Sequence, residues 1–413
     1  MNRVVVTGLG CVTPIGSTIS EFQDSLFSGR SGISAFEPYA EAPGPSQGLR
    51  FTRSGGIPSF DVSKHLPSGV AGATNRTAHF AIVAARQAAK QAALLEHHAP
   101  EDIAIILGCS TGGRSSEEEE TAKLYTRDAR VHPLTVTRTM ASAGASHVSI
   151  DLGITGPVLN ISTACASSTH AIGLAFQMVR GGIISAAVAG GHEAPLTFGF
   201  LRAWDSMRVV SPTQCRPFSA DRDGMTLGEG AAMLVLESLD SALARNATIY
   251  AEVVGFGMSA DAHHITQPAP EGAAAAIRKA LADAALTLGT SAEALVPEVG
   301  YINAHGTGTQ ANDSIEAAAI HQVFNSRASE IPVSSTKALH GHSIGATGGI
   351  EALATVLSLH HGQLPATAGV TTVDPKVNLN VITGGAISAT PSLALSNSLA
   401  FGGLNAVLAL RRY

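Results

Sequence analysis

The chain has 413 residues, of which 45% are hydrophobic and 14% are charged, and its formal net charge at pH 7 is −6. A chain of this length can bury a large core, and its 43 glycines suit a compact enzyme with many tight turns rather than a disordered or fibrous protein. The negative charge and the lack of a basic stripe argue against nucleic-acid binding, no apolar run is long enough for a membrane span, and four widely spaced cysteines predict reduced thiols in a cytoplasmic protein.

Short apolar or β-branched runs alternate with alanine-rich stretches along the whole chain. In chain order we predict a strand at 3–7, a helix at 76–95, strands at 103–107 and 158–162, a helix at 169–179, strands at 185–189, 231–237 and 251–255, a helix at 273–285, a strand at 299–303, a helix at 313–323, a strand at 331–335, a helix at 345–359 and a strand at 405–410. Alternating strands and helices favour parallel sheets covered by helices on both faces. The residues therefore predict an α/β fold.

Three short motifs of the first half recur in the same order in the second half. Residues 6–10 resemble 254–257, residues 107–112 resemble 303–308, and residues 161–165 resemble 333–337. A conserved order with unequal offsets indicates two duplicated halves that carry different insertions. We therefore predict two domains, 1–250 and 251–413.

Cys165 follows an apolar run and precedes a helical pattern of small and apolar residues. This pattern predicts a strand that enters a helix through a sharp turn, with the thiol at the helix N-terminus. Unpaired backbone N–H groups and a partial positive charge at that place favour a thiolate and can also hold an oxyanion. The alternative interpretation of Cys165 is a small, buried hydrophobic residue.

Two histidines of the second half lie at comparable strand ends. His305 follows the strand at 299–303, and His342 opens the helix that carries Glu351. Because open α/β sheets expose their chemistry at strand ends, we expect Cys165 and both imidazoles to meet in one pocket, where two imidazoles can polarise one thioester carbonyl. A structural role is the alternative for either histidine alone. His340 and His342 can also be interpreted as two ligands of a metal ion, but no third ligand is obvious in the sequence.

Six motifs together resemble the β-ketoacyl-acyl-carrier-protein synthases, in the order that this family has them. The motifs are residues 163–168, 216–224, 228–230, 305–316, 337–342 and 397–403, and the resemblance covers residues 4–411. It is strongest to the elongating synthases I and II, because His342 stands where the initiating synthase III branch has asparagine. Thiolases need a second cysteine near the C-terminus, and this chain has none after Cys215.

The resemblance implies a thiolase-like αβαβα sandwich of five layers, built from two duplicated halves. It also implies an acyltransferase: Cys165 takes an acyl chain from acyl carrier protein, malonyl on a second carrier protein loses carbon dioxide, and the carbanion extends the chain by two carbons. The reaction would serve fatty-acid synthesis or a specialised polyketide or polyene pathway, and it would need no cofactor beyond the phosphopantetheine of the carrier protein. The implied partners are acyl carrier protein and a second copy of the chain, with residues 134–140 lining the neighbour's pocket, or a ketosynthase-like subunit in a heterodimer.

The resemblance further implies roles for individual residues. These are the nucleophile Cys165 with His305 and His342, the supporting ion pair Lys337 and Glu351, the oxyanion and gating group of Cys165, Phe401 and Gly402, the substrate contacts Thr307, Thr309, Thr111 and Met225, the carrier-protein contacts Arg202, Arg208 and Lys64, and a monovalent-cation set of Asn303, Glu351, Ser396 and Asn397.

Four positions depart from the family pattern. Ala400 replaces a glycine, Leu404 replaces a threonine, Met225 replaces a phenylalanine, and Thr111 stands at an acyl-tunnel position that is often bulkier. These departures favour an unusual acyl chain and a specialised pathway. Two other functions stay open at this point: a Cys-His thioester hydrolase or acyltransferase without condensation, and a non-catalytic partner subunit of another ketosynthase.

Overall fold

The computed structural model describes residues 1–35, 48–127 and 129–413. Its strands are β1 Val4–Val12, β2 Ser34–Ala35, β3 Arg53–Ser54, β4 Ile103–Gly108, β5 Val158–Ile161, β6 Ala186–Glu193, β7 Gly230–Ser238, β8 Ala251–Ala260, β9 Val299–Asn303, β10 Pro332–Ser334, β11 Gln363–Leu364, β12 Asn380–Val381, β13 Ile387–Ser388, β14 Leu393–Ala400 and β15 Leu404–Arg411. Its α-helices are α1 Ile19–Ser28, α2 Ser68–Ala73, α3 Arg76–Gln91, α4 Leu94–His97, α5 Arg114–Arg127, α6 Thr135–Thr139, α7 Ala143–Leu152, α8 Ser167–Arg180, α9 Phe198–Ser206, α10 Leu239–Ala244, α11 Pro270–Leu288, α12 Ala292–Leu295, α13 Gln310–Phe324, α14 Lys337–His340 and α15 Thr347–His361.

Within the described ranges, eleven strands are linked in the order β12-β10-β9-β14-β15-β8-β1-β7-β6-β4-β5. The junction between the two halves is the antiparallel pair β1 and β8, with Val4 opposite Val253 and Val6 opposite Ala251. On the first side, β1 pairs with β7 and β7 with β6 in antiparallel fashion, and β6 pairs with β4 and β4 with β5 in parallel. On the second side, β8, β15, β14, β9 and β10 repeat the same two antiparallel and two parallel pairings.

The first strand of each half has glycines because a helix lies directly on it. A Cβ atom at Gly10 would lie 2.0 Å from the carbonyl oxygen of Ala84 in α3, and a Cβ atom at Gly257 would lie 2.1 Å from that of Ala276 in α11. Neither distance leaves room for a side chain, so only glycine permits this approach. The glycine repeat seen in the sequence therefore has one structural cause in both halves.

The helices form three layers around the strands. Helices α3 and α7 cover the outer face of the first strand set, and α11 and α13 cover the outer face of the second. Helices α8 and α15 contact each other and strands of both sets, so they form the middle layer. Residues 347–359 of α15 are all buried, as expected for a helix enclosed on every side. This is the predicted αβαβα sandwich of two similar halves.

Two further observations concern the expected redox state of the cysteines and the expected absence of a membrane span. All four cysteines are unpaired and buried. In the part of the chain that the structure describes, no helix is both long and apolar enough to cross a membrane.

Candidate active site

Cys165 lies in a 3-10 turn, Ala164–Ala166, between β5 and α8. Ala164 has φ +49°, a left-handed conformation that is costly for a residue with a side chain. The Ser167 hydroxyl stabilises the turn, because it donates to the Ala164 carbonyl oxygen at 2.7 Å and accepts from the Thr163 N–H at 2.9 Å. The chain thus forms the expected strand, sharp turn and helix, with the sulfur just ahead of the helix.

The resting charge of Cys165 differs from the expectation. Burial raises the pKa of its thiol to about 11, although the Lys337 ammonium and the backbone N–H of Phe401 act in the opposite direction. The effect of burial on the Cys165 thiol therefore exceeds the stabilisation of a thiolate expected from the helix N-terminus. The sulfur rests as a thiol and has to lose its proton when it attacks.

The sulfur and two imidazoles converge. Cys165 Sγ and a ring nitrogen of each of His305 and His342 all lie within 4.8 Å of one another. The two rings meet edge to face, with their centroids 5.4 Å apart and their planes at 85°. His305 follows β9, and His342 lies in the connection from β10 to α15. The structure thus brings together three side chains from three separate strand ends.

The hydrogen bonds of the imidazoles set their tautomers. Lys337 Nζ lies 3.3 Å from His305 Nδ1. Since an ammonium can only donate, His305 Nδ1 accepts and the ring proton is on Nε2. His342 Nδ1 lies 2.8 Å from Thr347 Oγ1, and a hydroxyl that donates to it gives the same tautomer. Burial and the Lys337 charge hold the pKa of both histidines well below 6.5, so at neutral pH both rings are neutral and can donate from Nε2.

Lys337 and Glu351 form an ion pair behind the histidines. Both side chains are fully buried and contact each other directly, and Lys337 also donates to the His305 carbonyl oxygen. Burial raises the pKa of the Glu351 carboxyl, and the adjacent ammonium opposes that rise. The cation beside His305 also disfavours a divalent metal, although the three clustered donors are close enough to share one. His340 is turned to Thr336 and Gly341, so it does not join a metal pair with His342.

A cavity of about 220 Å³ opens over the sulfur. Its lining includes most of the predicted site: Cys165, His305, His342, Thr307, Thr309, Met225, Phe401 and Gly402. The Thr307 and Thr309 hydroxyls are 2.9 Å apart. The lining also contains residues that sequence reasoning missed: Trp204, Met207, Val209, His264, Ile265 and Asn312. Of these, only Asn312 falls within one of the six motifs of the sequence analysis, residues 305–316.

Thr111, which the resemblance implies as a substrate contact, is not among the residues that line this cavity. Its hydroxyl donates to Glu193 Oε1 at 2.6 Å, so the side chain is directed to a buried carboxylate. Glu193 also accepts from the Ser110 and Gly345 N–H groups at 2.7 and 3.1 Å. Position 111 is therefore a support for two turns next to the site.

The predicted carrier-protein contacts lie in two places. Arg202, on α9, and Arg208, just after it, are exposed. Both flank the cavity entrance, because Trp204, Met207 and Val209 of the same stretch line the cavity. Lys64 lies in the 3-10 turn Val62–Lys64 and is 3.9 Å from Asp61; this turn contributes no residue to the cavity lining.

The four residues proposed to hold a cation share one property. Each has a buried side-chain oxygen without a hydrogen-bond partner: Asn303 Oδ1, Glu351 Oε2, Ser396 Oγ and Asn397 Oδ1. Ser396 is opposite Asn303 in the pairing of β14 with β9, and Asn303 Nδ2 donates to the Glu351 carbonyl oxygen at 3.1 Å. Unpaired buried oxygens are costly unless something binds them, and hard cations prefer oxygen ligands. The set fits an oxygen-coordinated cation.

An apolar surface lies at one end of the strand order. Strand β5 is the last strand on that side, and its Leu159 is 42% exposed. Around α6, Leu134, Val136 and Met140 are also exposed. Apolar side chains beside an edge strand are typical of a protein interface.

Comparison with known proteins agrees with this geometry. Residues 1–242 match the family described as beta-ketoacyl synthase, N-terminal domain, and residues 250–371 match beta-ketoacyl synthase, C-terminal domain. Nodulation protein E of Rhizobium sp. (strain N33) is 40% identical over 99% of each chain, and 3-oxoacyl-[acyl-carrier-protein] synthase 2 of Synechocystis sp. is 40% identical over 100% of this chain and 98% of the relative. A solved structure titled the ishigamide ketosynthase/chain length factor superposes with a TM-score of 0.92 at 32% identity, over 100% of this chain and 99% of that one.

Proposed function

This chain belongs to the β-ketoacyl synthase family, and we propose that it condenses an acyl chain held on Cys165 with malonyl-acyl carrier protein. The products are carbon dioxide and a 3-oxoacyl-acyl carrier protein that is two carbons longer. The observation that carries the proposal is the cluster of one sulfur and two imidazole nitrogens within 4.8 Å at the base of a cavity.

In the first half-reaction, Cys165 attacks the thioester of an acyl-carrier protein. A carbon–sulfur bond forms to Cys165, the bond to the pantetheine sulfur breaks, and the thiol proton is transferred overall to the departing sulfur. The backbone N–H groups of Cys165 and Phe401 both act on the Cys165 sulfur, so they are positioned to donate to the oxyanion that forms beside it.

In the second half-reaction, malonyl-acyl carrier protein enters the same cavity and loses carbon dioxide. His305 and His342 donate from Nε2 to the thioester oxygen as the enolate develops. The enolate carbon then attacks the acyl-cysteine and releases Cys165 as a thiolate, which takes up one proton from solution to return to the resting thiol. Loss of one such donor typically costs about 3 kcal/mol of transition-state stabilisation. Lys337 acts on this step through His305, because its ammonium fixes the ring tautomer.

The substrates are carried on the phosphopantetheine arm of acyl carrier protein, and no further cofactor is needed. We assign Thr307 and Thr309 to that arm and Met225 to the acyl chain, because all three line the cavity. Exposed Arg202 and Arg208 at its entrance, with Lys64 as a further exposed cation, would receive an acidic carrier protein. Asn303, Glu351, Ser396 and Asn397 would hold a monovalent cation behind the imidazoles, where its charge would stabilise the loop around His305.

For the assembly, we propose a dimer through β5 and residues 134–140. The partner is a second copy or a ketosynthase-like subunit, and the exposed apolar residues of this edge fit either one. Four free cysteines suit a reducing compartment, which favours the cytoplasm. The departures at Met225, Ala400 and Leu404 favour a specialised acyl chain, in fatty-acid or polyketide synthesis.

Mass spectrometry of the intact protein with acyl-carrier protein, followed by malonyl-carrier protein, tests this function. We expect an acyl adduct on Cys165, none on Cys165→Ala, and an extended product with carbon dioxide after malonyl is added. His305→Ala should keep the adduct and lose decarboxylation. A hydrolase would release the acyl group without carbon dioxide from malonyl-carrier protein, and full pathway activity of Cys165→Ala would identify a non-catalytic subunit.

A further inference from the structure

His170, in the first turn of α8, contacts both flanks of the turn that carries Cys165. Its Nδ1 lies 2.9 Å from Thr163 Oγ1, just before that turn, and 3.0 Å from the carbonyl oxygen of Ala166, the last residue of the turn. The ring is partly buried and meets the Phe256 ring of β8 edge to face, with the centroids 6.0 Å apart. The side chain is therefore held beside the nucleophile, although it does not line the cavity.

The two contacts assign the proton of the His170 ring. A carbonyl oxygen can only accept, so Nδ1 donates to Ala166, and the Thr163 hydroxyl oxygen is close enough to share the same proton. Burial lowers the pKa of the ring, so at neutral pH it is neutral and its single proton is on Nδ1. His305 and His342 have the opposite tautomer, with the proton on Nε2. The proton of His170 thus binds the protein itself and is not presented to a substrate.

The nucleophile turn needs restraint because its backbone conformation is unfavourable. Ala164, directly before Cys165, has φ +49°, and such a conformation persists only where the surrounding structure holds it. The Ser167 hydroxyl holds the beginning of the turn through the Thr163 N–H and the Ala164 carbonyl oxygen. His170 reaches the end of the turn at the Ala166 carbonyl oxygen, so the Cys165 residue lies between its two contacts.

The direction of the Cys165 N–H depends on this turn. That N–H, together with the N–H of Phe401, acts on the sulfur and is placed to receive the oxyanion of acyl transfer. Such a donor is effective only when it is already in place, and a displacement of about 1 Å can lower a rate about a hundredfold. Rotation of the peptide between Ala164 and Cys165 would move this donor and leave both catalytic imidazoles, which belong to the second half, where they are.

We propose that His170 is a positioning residue that fixes the Cys165 N–H as an oxyanion donor by holding both flanks of the nucleophile turn. The inference rests on the acyl transfer proposed above. It predicts that the two half-reactions depend differently on position 170. Acylation needs the Cys165 N–H, whereas decarboxylation of the malonyl group uses the Nε2 donors of His305 and His342.

Two amide variants at position 170 test the positioning. In His170→Asn the side-chain nitrogen takes the place of Nδ1, so acylation of Cys165 by an acyl-carrier protein should stay within about threefold of the wild type. In His170→Gln the nitrogen lies near the former place of Nε2, so the contacts with the turn are lost and acylation should slow about ten- to hundredfold. Both variants lose the ring that meets Phe256, so they differ mainly in the position of the N–H. Mass spectrometry of acyl-Cys165 in a single turnover measures the rate.

Release of carbon dioxide from malonyl-carrier protein gives the second measurement. Its rate should change less than about twofold in both variants, because the two imidazole donors are unchanged. A general folding defect would lower acylation and decarboxylation alike. Equal losses of both rates in His170→Gln, wild-type acylation in His170→Gln, or equally slow acylation in both variants would overturn the role of His170 alone. Absence of acylation in the wild type would overturn the proposed function as well.

Gln177→Ala is the matched control on the same helix. Gln177 lies two turns after His170 on α8 and is exposed. Both rates of this variant should stay within about twofold of the wild type, because surface substitutions away from special contacts have small effects. A loss of acylation in Gln177→Ala as large as that in His170→Gln would show that α8 as a whole sets the rate, and it would overturn the proposal.

Discussion

The turns that precede the two middle helices, α8 and α15, have similar backbone conformations but carry different side chains. In the first half, Ala164 at φ +49° precedes Cys165 and α8; in the second half, Ile344 at φ +46° precedes Gly345 and α15. Only residues 162–163 separate β5 from the first turn, whereas residues 335–343 separate β10 from the second. That longer connection carries Lys337, His340 and His342.

This difference shows how a duplicated scaffold divides one reaction between its halves. The first half keeps a nucleophile on its turn. The second half has no side chain at the equivalent place, where a Cβ on Gly345 would lie 2.6 Å from Glu193 Oε2. It instead uses a longer connection to bring a cation and an imidazole to Cys165 of the first half. Changes at the two turns should therefore have different consequences, and the following substitutions measure them.

The largest effect is expected from Lys337→Met in the longer connection. Lys337→Met leaves Glu351 buried without its ammonium, and breaking a buried ion pair in this way costs about 3–5 kcal/mol of unfolding free energy, because the carboxyl is then either charged and unpaired or has to take up a proton. Burial raises the pKa of the Glu351 carboxyl above its unfolded value, and without the opposing Lys337 ammonium this rise is larger, so the folded variant binds more protons and its loss of stability relative to wild type should grow as pH rises above about 4.3. Urea unfolding at pH 5 and pH 8 measures this.

The double variant Lys337→Met with Glu351→Gln is the control. It removes both charges, so it should regain much of the lost stability and lose the pH dependence. A single variant as stable as the wild type at pH 8 would show that the pair is not buried in solution.

The second-largest effect is expected for the alkylation of Cys165, in the turn before α8. Burial raises the pKa of Cys165 to about 11, and only the thiolate is alkylated. The rate of alkylation by iodoacetamide should therefore rise about tenfold per pH unit, or about a hundredfold between pH 7 and pH 9, which corresponds to about 2.7 kcal/mol. Peptide mass spectrometry identifies the alkylated cysteine. A rate that levels off below pH 8 would indicate a thiolate at rest and restore the expectation from the helix terminus.

Gly345→Ala tests the turn of the second half directly. The added methyl group would lie 2.6 Å from Glu193 Oε2 and 2.7 Å from the Ser110 nitrogen. Because overpacking of a core is destabilising, we expect the free energy of unfolding to fall by about 2 kcal/mol. Thermal and urea unfolding measure it. Gly72→Ala in α2 is the control, because nothing lies within 4 Å of the new methyl group and stability should not fall. Equal stability of both variants would show that the second turn tolerates a side chain after all.

The two turns also show how much of the structure could be predicted from the sequence. The repeat of residues 161–165 at 333–337 is correct for the strands, but it pairs Cys165 with Lys337, whereas the structure pairs Cys165 with Gly345. The equivalence of Cys165 and Gly345 depends on the positive φ of the residue before each of them and on the path of the longer connection. Neither property produces a recognisable pattern in the sequence. His305 and His342 could be predicted because His305 closely follows the end of β9 and His342 lies in the connection that enters α15.

Other elements lacked a sequence signal for a physical reason. Strand β14 was missed because Ser396, Asn397 and Ser398 interrupt its apolar residues, and they are polar because they lie against the buried groups around Glu316 and Glu351 rather than against a core. The sequence analysis predicts no helix at α5, because Glu117 and its neighbours give this segment no apolar face. Thr111 was assigned to the pocket from the family resemblance, and its position in the sequence gives no sign that its hydroxyl donates to Glu193.

Thr111→Val should have the smallest effect, and it tests the contact between the two turns. Glu193 accepts from the Ser110 N–H and the Thr111 hydroxyl of the first half and from the Gly345 N–H of the second, so one carboxylate supports both. Valine has nearly the same shape as threonine but cannot donate to Glu193, so we expect the free energy of unfolding, measured in urea, to fall by about 1 kcal/mol. Exposed Thr290→Val is the control and should change stability by less than about 0.5 kcal/mol. Because position 111 does not line the cavity, the range of acyl chains accepted should stay the same, and a shift in that range would place Thr111 in the pocket instead of between the turns.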